Sequence, residues 1–530
     1  MTQYLSLPRI EGPIWLEPNE IITIQTLISE AQEQLVTLEN RMNEDGADSE
    51  LASLKSLHAV EIASLQNIVS PIRCMPPEIV SEIFRAYCAM DSGYRWYRGM
   101  HQETSTRIIL TSVCAAWRNA AHATPKLWSE IRVQREGYRA PNASDSDIAT
   151  QWISRSGDLP LDLNISLRMG YRGNISQAFI AFSHRIRSLE VCLPMEHFEP
   201  FIHLPKSSFP SLETLIVDFR NRDPFYFSEE LQSQHPSGIE IFSDSRQLKY
   251  VEFTEAGDSC LLENIKFPPD AVTSLKIAAY GCCLDQFLSL YFDTVRGMNQ
   301  LVHCKIEFPR RQFEISDTSK PIILPFLQSL SLSEPNVDTG YAVAFFRCLY
   351  APLLKDLHLG HESQSHTELV KQLAEFRARS AVSLSSLHLS YFLGDIISGE
   401  DLIPLVAAFP SICILRISNT GSSLDLRPVI HALVYDPTSP GPLHLPNLEE
   451  LYLDANEVEE EEVRHLIQSY WRPINENNAG ANEFLSDVEG GGSRVRKATI
   501  LTYTTLANIN YFAELAHESA LHGIQFEFQL

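Results

Sequence analysis

Leu445-Pro446-Asn447-Leu448-Glu449-Glu450-Leu451-Tyr452-Leu453 places apolar side chains at Leu448, Leu451 and Leu453. Leu451 and Leu453 alternate with Tyr452, the period of a strand, so the leucines face one way and Glu450 and Tyr452 the other. Pro446 precedes the strand, where its missing N–H breaks no ladder. Phe209-Pro210-Ser211-Leu212-Glu213-Thr214-Leu215 is the same phrase far earlier in the chain. The core, apolar-x-x-apolar-x-apolar, recurs at Ile186/Leu189/Val191, Leu212/Leu215/Val217, Leu248/Val251/Phe253, Val272/Leu275/Ile277 and Leu301/Cys304/Ile306. It continues at Leu327/Leu330/Leu332, Leu354/Leu357/Leu359, Leu384/Leu387/Leu389 and Ile412/Leu415/Ile417, with a weak copy at Val495/Ala498/Ile500. Leu159, Leu161 and Leu163 read as an opening strand. Most starts lie 24 to 30 residues apart, near the period of about 20–29 that marks leucine-rich repeats.

Helical stretches fall between the strands, at 341–350, 367–379 and 401–409. A repeated strand–helix unit predicts an α/β fold: a degenerate leucine-rich-repeat solenoid over 150–530, a parallel sheet with helices on its convex side. Degenerate, because the consensus asparagine after the last leucine stands only at Asn456. An ordinary α/β domain with leucine-rich parallel strands is the alternative. About eleven strands at roughly 4.8 Å give a surface near 50 Å long, wide enough for a protein or peptide. Its outward positions include Glu213, Thr214, Ile216, Lys249, Tyr250, Glu252, Lys276, Asp356, His358, His388, Arg416, Glu450 and Tyr452. The acidic run from Asp454 to Glu462 reads as a solvated helix start, and the glycine-rich segment 475–493 as a flexible insertion.

The chain has 530 residues and a net charge of −25. That balance argues against nucleic acid and against an anionic membrane as partners. No apolar run nears the ~20 residues of a membrane span, and residues 1–18, an N-terminal tail, lack a secretory pattern. Ten cysteines with no Cys-x-x-Cys spacing read as reduced thiols, Cys282-Cys283 included, and predict a cytoplasmic or nuclear location.

From Ile21 the apolar residues Ile21, Ile24, Ile28, Ala31, Leu35, Leu38 and Met42 form an a/d seam. Asn43-Glu44-Asp45-Gly46 stops that helix, and Asp48 or Ser49 caps a second carrying Leu51, Leu54, Leu57, Ile62, Leu65 and Ile68. Residues 19–69 therefore predict a helical hairpin, with a parallel coiled coil as the other arrangement of the same seam.

Residues 70–135 read as a small three-helix module. Pro76-Pro77-Glu78 starts one helix, with Ile79, Ile83, Phe84 and Tyr87 on one face. A second stretch runs from Thr104 to Ala123 with Ile109, Val113, Trp117 and Ala120 or Ala121 inward. A third begins at Thr124-Pro125, anchored by Leu127, Trp128 and Ile131. So few residues bury little surface alone, so large side chains should stay uncovered unless a partner or neighbouring domain packs on them.

Met75-Pro76-Pro77-Glu78-Ile79 with Ile83-Phe84, then Val113-Cys114-Ala115-Ala116-Trp117-Arg118, then Leu127-Trp128, resembles an F-box. With the preceding hairpin running into Val69-Ser70-Pro71-Ile72-Arg73, and repeats behind it, the chain resembles fungal, basidiomycete-type F-box proteins. Met75 stands where the family has leucine, a volume-conserving change, and Ala89 to Arg107 is a long insert rich in Tyr, Trp and Arg. The resemblance implies a substrate-recognition subunit of an SCF-type (cullin–RING) ubiquitin ligase. The module would bind the small ligase adaptor and through it a cullin, and the repeats a protein substrate. It also implies that Pro76, Pro77, Glu78, Ile79, Ile83, Phe84, Val113, Trp117, Leu127 and Trp128 dock the adaptor or form the module's core. The alternative is a non-catalytic interaction scaffold with no ligase role, its helices a cap on the repeats; a well-buried Phe84 and Trp128 would favour it.

No phosphate loop, dinucleotide fingerprint, nucleophile elbow or His-Glu-x-x-His is present. His361 and His366 make a poor metal pair. The expectation is a chain without catalytic residues, cofactor or metal.

Overall fold

The computed structural model describes residues 16–45, 49–71, 75–90, 106–135, 144–167, 175–193, 195–219, 238–256, 265–280, 287–309, 320–334, 340–361, 366–390, 398–418, 424–434, 443, 445–454, 458–470, 495–501 and 509–529. The tail at 1–15, Gly46 and Asp48, most of the Tyr/Trp/Arg-rich insert, Cys282-Cys283, Asn456 and the segment 475–493 lie outside them. The chain forms two units, Met1–Ile131 with Ser146–Asp162, and Arg132–Asp145 with Leu163–Leu530. Residues 150–162, expected at the head of the repeats, thus belong to the first unit.

In the first unit, α1 (Pro18–Asp45) and α2 (Ser49–Ile68) are an antiparallel pair. Ile24 packs with Leu65 and Ile68, while Lys55 reaches Glu39 at 2.9 Å. Leu54 and Leu57, on the second helix's apolar series, are exposed. Then come α3 (Pro77–Met90), α4 (Thr106–Val113), α5 (Ala115–His122) and a 3-10 turn at Pro125–Trp128. Two expectations need correction here. The stretch from Thr104 is two helices, broken at Cys114, whose backbone is extended and whose sulfur accepts the Trp117 N–H as an N-cap. The break changes the helical phase, so Leu110 and Ala121 are buried and Ile109 and Val113 exposed. The third helix is only the 3-10 turn: Ile131 lies in strand β1 (Glu130–Arg135). Helix α6 (Ser144–Arg155) follows.

Among the described residues the main sheet has fourteen strands in sequential order, twelve of them wholly within the second unit. After β1 come β2 (Leu161–Leu167), β3 (Ile186–Cys192), β4 (Thr214–Asp218), β5 (Tyr250–Ala256), β6 (Ser274–Tyr280) and β7 (His303–Glu307). A short β8 (Ile322–Ile323) precedes β9 (Ser329–Glu334), and a short β10 (Leu349–Tyr350) precedes β11 (Asp356–His361). The series closes with β12 (Ser386–Ser390), β13 (Ile414–Ser418), β14 (Glu450–Asp454), β15 (Lys497–Leu501) and β16 (Gln525–Gln529). The short pair β8 and β10 forms its own two-stranded sheet.

From β3 onward the neighbours pair in parallel, and the register aligns the repeat copies. Leu189, Leu215, Val251, Leu275, Cys304, Leu330, Leu357, Leu387, Leu415, Leu451 and Ala498 form one continuous column. The first apolar position of each copy, from Ile186 to Val495, is buried as well. Leu161, Leu163, Ile165 and Leu167 fill β2, whereas Leu159 is exposed ahead of it. Sequential order in one parallel sheet requires a crossover between neighbouring strands. Those described include α10 (Tyr341–Cys348), α11 (His366–Ser380), α12 (Gly399–Ala407), α13 (Arg427–Leu433) and α14 (Glu460–Ser469), with α7 to α9 at Ile175–Ile180, Met195–Ile202 and Phe287–Arg296. Helix α15 (Ile509–Leu521) lays Phe512 on Phe526 and Phe528 of β16, which puts this helix on the leucine side of the sheet. The acidic run ends as a helix cap, with Glu459 and Glu462 forming a capping box at the positive end of the dipole. No described helix is long and apolar enough to cross a membrane.

Gly399 opens α12, and a Cβ there would collide with the Asp425 carbonyl oxygen and touch Pro428. Backbone is what it meets, so relief requires two repeats to move apart. Gly399→Ala is expected to cost about 1–3 kcal/mol, the usual range for overpacking, as read by urea denaturation.

Candidate partner-docking surfaces

Helix α3 has two adjoining stripes, each with a four-residue spacing. Val80 and Phe84 point into the first unit; Phe84 is 1% exposed and lies 5.0 Å from Trp117, ring to ring. Leu127 and Trp128 complete that core, at 3% and 1%. Trp128 is held on every side. Its indole N–H donates to the Ala121 carbonyl at 2.8 Å, His122 and Trp152 meet it edge-on, and the Arg155 guanidinium covers its face at 4.7 Å. The Thr124 hydroxyl donates to Ser81 at 2.8 Å, tying the turn to α3.

The other stripe, Ile79, Ile83 and Tyr87, is 49, 44 and 51% exposed. Ile108, Ile109 and Val113 on α4 are exposed too, as are Pro76, Pro77 and Glu78 at the start of α3. The ten residues picked out by sequence therefore separate. Phe84, Leu127 and Trp128 are internal and Trp117 half-buried, while Pro76, Pro77, Glu78, Ile79, Ile83 and Val113 are on the surface. Sequence reading left Tyr87 and Ile108 out of that set; Tyr87 follows from the i, i+4, i+8 series, and Ile108 has no signal before the helix break is known. Each of these half-exposed isoleucines or valines would gain roughly 1 kcal/mol if a partner covered it.

In the second unit, the residues between the leucine columns face the other side of the sheet and are half-buried. There the His358 and His388 rings stack, 4.1 Å apart and 9° from parallel. Nε2 of His358 pairs with the Ser390 hydroxyl at 2.8 Å and its Nδ1 with Ser331 at 3.1 Å. Nε2 of His388 pairs with Ser418 at 2.6 Å. Burial lowers the pKa of both rings; for His358, with His388 and Lys305 adding to it, the value is pulled down to about 4. For His388, Arg416 adds to the effect. A ring kept neutral in the fold but free to charge when unfolded stabilises above the unfolded value near 6.5. That contribution fades as pH falls from about 6.5 toward 4. The rings are only half-buried, so the loss is on the order of 1 kcal/mol. The second unit's melting temperature should drop over this window, and less in His358→Asn, as scanning calorimetry would show.

Among the described residues no group of three or more His, Cys, Asp or Glu side chains is placed to hold a metal ion. The Cys304 thiol is buried, which pushes it up to about 12, far from a reactive thiolate.

No family model matches the chain, and no curated protein does. The solved structures supply a likeness. A leucine-rich repeat-containing protein, LegL7 from Legionella pneumophila, aligns over 67% of this chain and 97% of its own at 12% identity. The TM-score is 0.34, too low for the neighbour's shape to carry an argument. The repeat architecture rests on the register of the leucine columns.

Proposed function

We propose that the chain is the substrate-recruiting subunit of an SCF-type ubiquitin ligase, its helical module binding the ligase adaptor and its repeat sheet a protein substrate. The observation that carries this reading is the double use of α3. Phe84, Trp117, Leu127 and Trp128 already fill the module's own core, yet Ile79, Ile83 and Tyr87 remain exposed on the next stripe. A helix that only capped the repeats would have no use for a second apolar stripe left in water. The motif that resembles an F-box runs through both stripes, so the resemblance and the exposure point to the same surface. In this reading the chain does no chemistry itself; it brings two proteins together.

The second reading is an interaction scaffold without a ligase role. Burial of Phe84 and Trp128 favours it, because part of the motif is then accounted for by folding alone; both are buried within the helical unit's own core. Co-purification with the adaptor separates the two. Wild type should retain the adaptor and Ile83→Asp should lose it; equal retention, or none by either, supports the scaffold.

A further inference from the structure

The middle outward position of six successive main-sheet strands, β6 to β13, holds Lys276, Lys305, Ser331, His358, His388 and Arg416, in register. No carboxylate stands in that column, in a chain of net charge −25. The acids that face it come from the flanks. Glu252 on β5 bonds Lys276 at 2.6 Å, Glu307 bonds Lys305 at 2.9 Å, and Glu450 on β14 bonds Arg416 at 3.6 Å. Asp356 shares the strand and face of His358. Arg416 with Glu450 is a largely exposed pair, of the kind worth about 0–1 kcal/mol, so an incoming carboxylate displaces Glu450 at little cost. Lys305 stays 42% exposed beside the more buried Glu307 and can take a second carboxylate from its open side.

At the centre the stacked imidazoles follow one rule twice. Each ring reaches the serine two residues further along on the next strand, His358 to Ser390 and His388 to Ser418. Gly360 keeps that step open, since a Cβ there would come within 3.2 Å of Ser333 and 3.4 Å of Ser390. The leucine columns, on the opposite face, need none of this. Stacked neutral rings sit together comfortably; protonated, they repel each other and Lys305 and Arg416, unless an anion lies across them.

We propose that Lys305, His358, His388 and Arg416 form a binding site for a carboxylate-rich extended segment of a partner protein, held more tightly as pH falls. The proposal rests on the reading of the sheet as the partner-binding surface. Six strands span roughly 24 Å, about seven extended residues. A bound carboxylate returns the rings toward their ordinary titration range, so binding takes up protons.

Fluorescence anisotropy of the full chain with a labelled peptide of about ten glutamates tests this. Affinity should rise about three- to tenfold between about pH 7.5 and about pH 6. Acidification also lowers the chain's overall negative charge, which helps any acidic peptide; the His358→Gln, His388→Gln double variant keeps that general effect and should lose the rest. Arg416→Glu, at an exposed position, should weaken binding at least about tenfold at both pH values, and stands as the test should the double variant fail to fold. No binding by wild type, an unchanged pH response in the folded double variant, or full affinity in Arg416→Glu overturns the site. So does a preference for a phosphoserine peptide without a pH response. Adaptor binding on the same preparation keeps the questions apart. Adaptor retained with no peptide bound rejects this site alone; peptide bound with no adaptor rejects the ligase reading alone.

Discussion

Trp128→Ala is expected to destabilise the helical unit by about 3–5 kcal/mol, the range for emptying a large aromatic site. Trp128 is 1% exposed and joins four neighbours: Ala121 through a hydrogen bond, His122 and Trp152 through ring edges, and Arg155 through its face. Removing it leaves a cavity under Arg155 and takes the indole donor from the Ala121 carbonyl, which keeps only its backbone partner at the end of α5. Scanning calorimetry should show a transition that moves down by many degrees. Calorimetry that found Trp128→Ala as stable as wild type would mean that Trp128 is not the core of this unit.

The second large effect is on binding with no effect on folding. Ile79→Asp together with Ile83→Asp should weaken adaptor binding at least about a hundredfold, since central apolar contacts typically cost about 2 kcal/mol or more each when lost. Both side chains are nearly half exposed in the free chain, so the melting temperature should change little. Phe84→Asp is a poorer probe: it buries a charge in the core beside Trp117, and lost binding there would report unfolding. Isothermal calorimetry on the Ile79/Ile83 variant, with a melting curve as control, checks both halves.

The repeats were legible because a strand has an exact two-residue alternation and the leucines mark it. Even the weak copy at Val495/Ala498/Ile500 falls into register with Leu451 and Leu453. Strand β16 was not legible, since its first template position is Gly523, which has positive φ and no side chain to signal a core. Strand β1 was hidden by Leu127, Trp128 and Ile131, whose spacing fits a helix equally well. The helix break at Cys114 had no glycine or proline to announce it; a thiol cap did the work.

The expected docking set divides between core and surface, a split the sequence does not show. On α3 the inward pair Val80 and Phe84 and the outward series Ile79, Ile83 and Tyr87 have the same spacing and differ by one residue in phase. Which stripe meets the core depends on Trp117 and Trp128, which come from elsewhere in the chain. Lys305 and Ser331 were missed for a simpler reason. They occupy the same template position as His358, Arg416 and Tyr452, and only alignment of the copies in register turns those scattered residues into one column.

The most direct measurement is light scattering coupled to size-exclusion chromatography of the full chain mixed with purified adaptor and cullin. A stable assembly containing one copy of each is the predicted result, lost when Ile79 and Ile83 are both changed to aspartate. A chain that elutes alone at its own mass beside an intact adaptor–cullin pair would contradict the account.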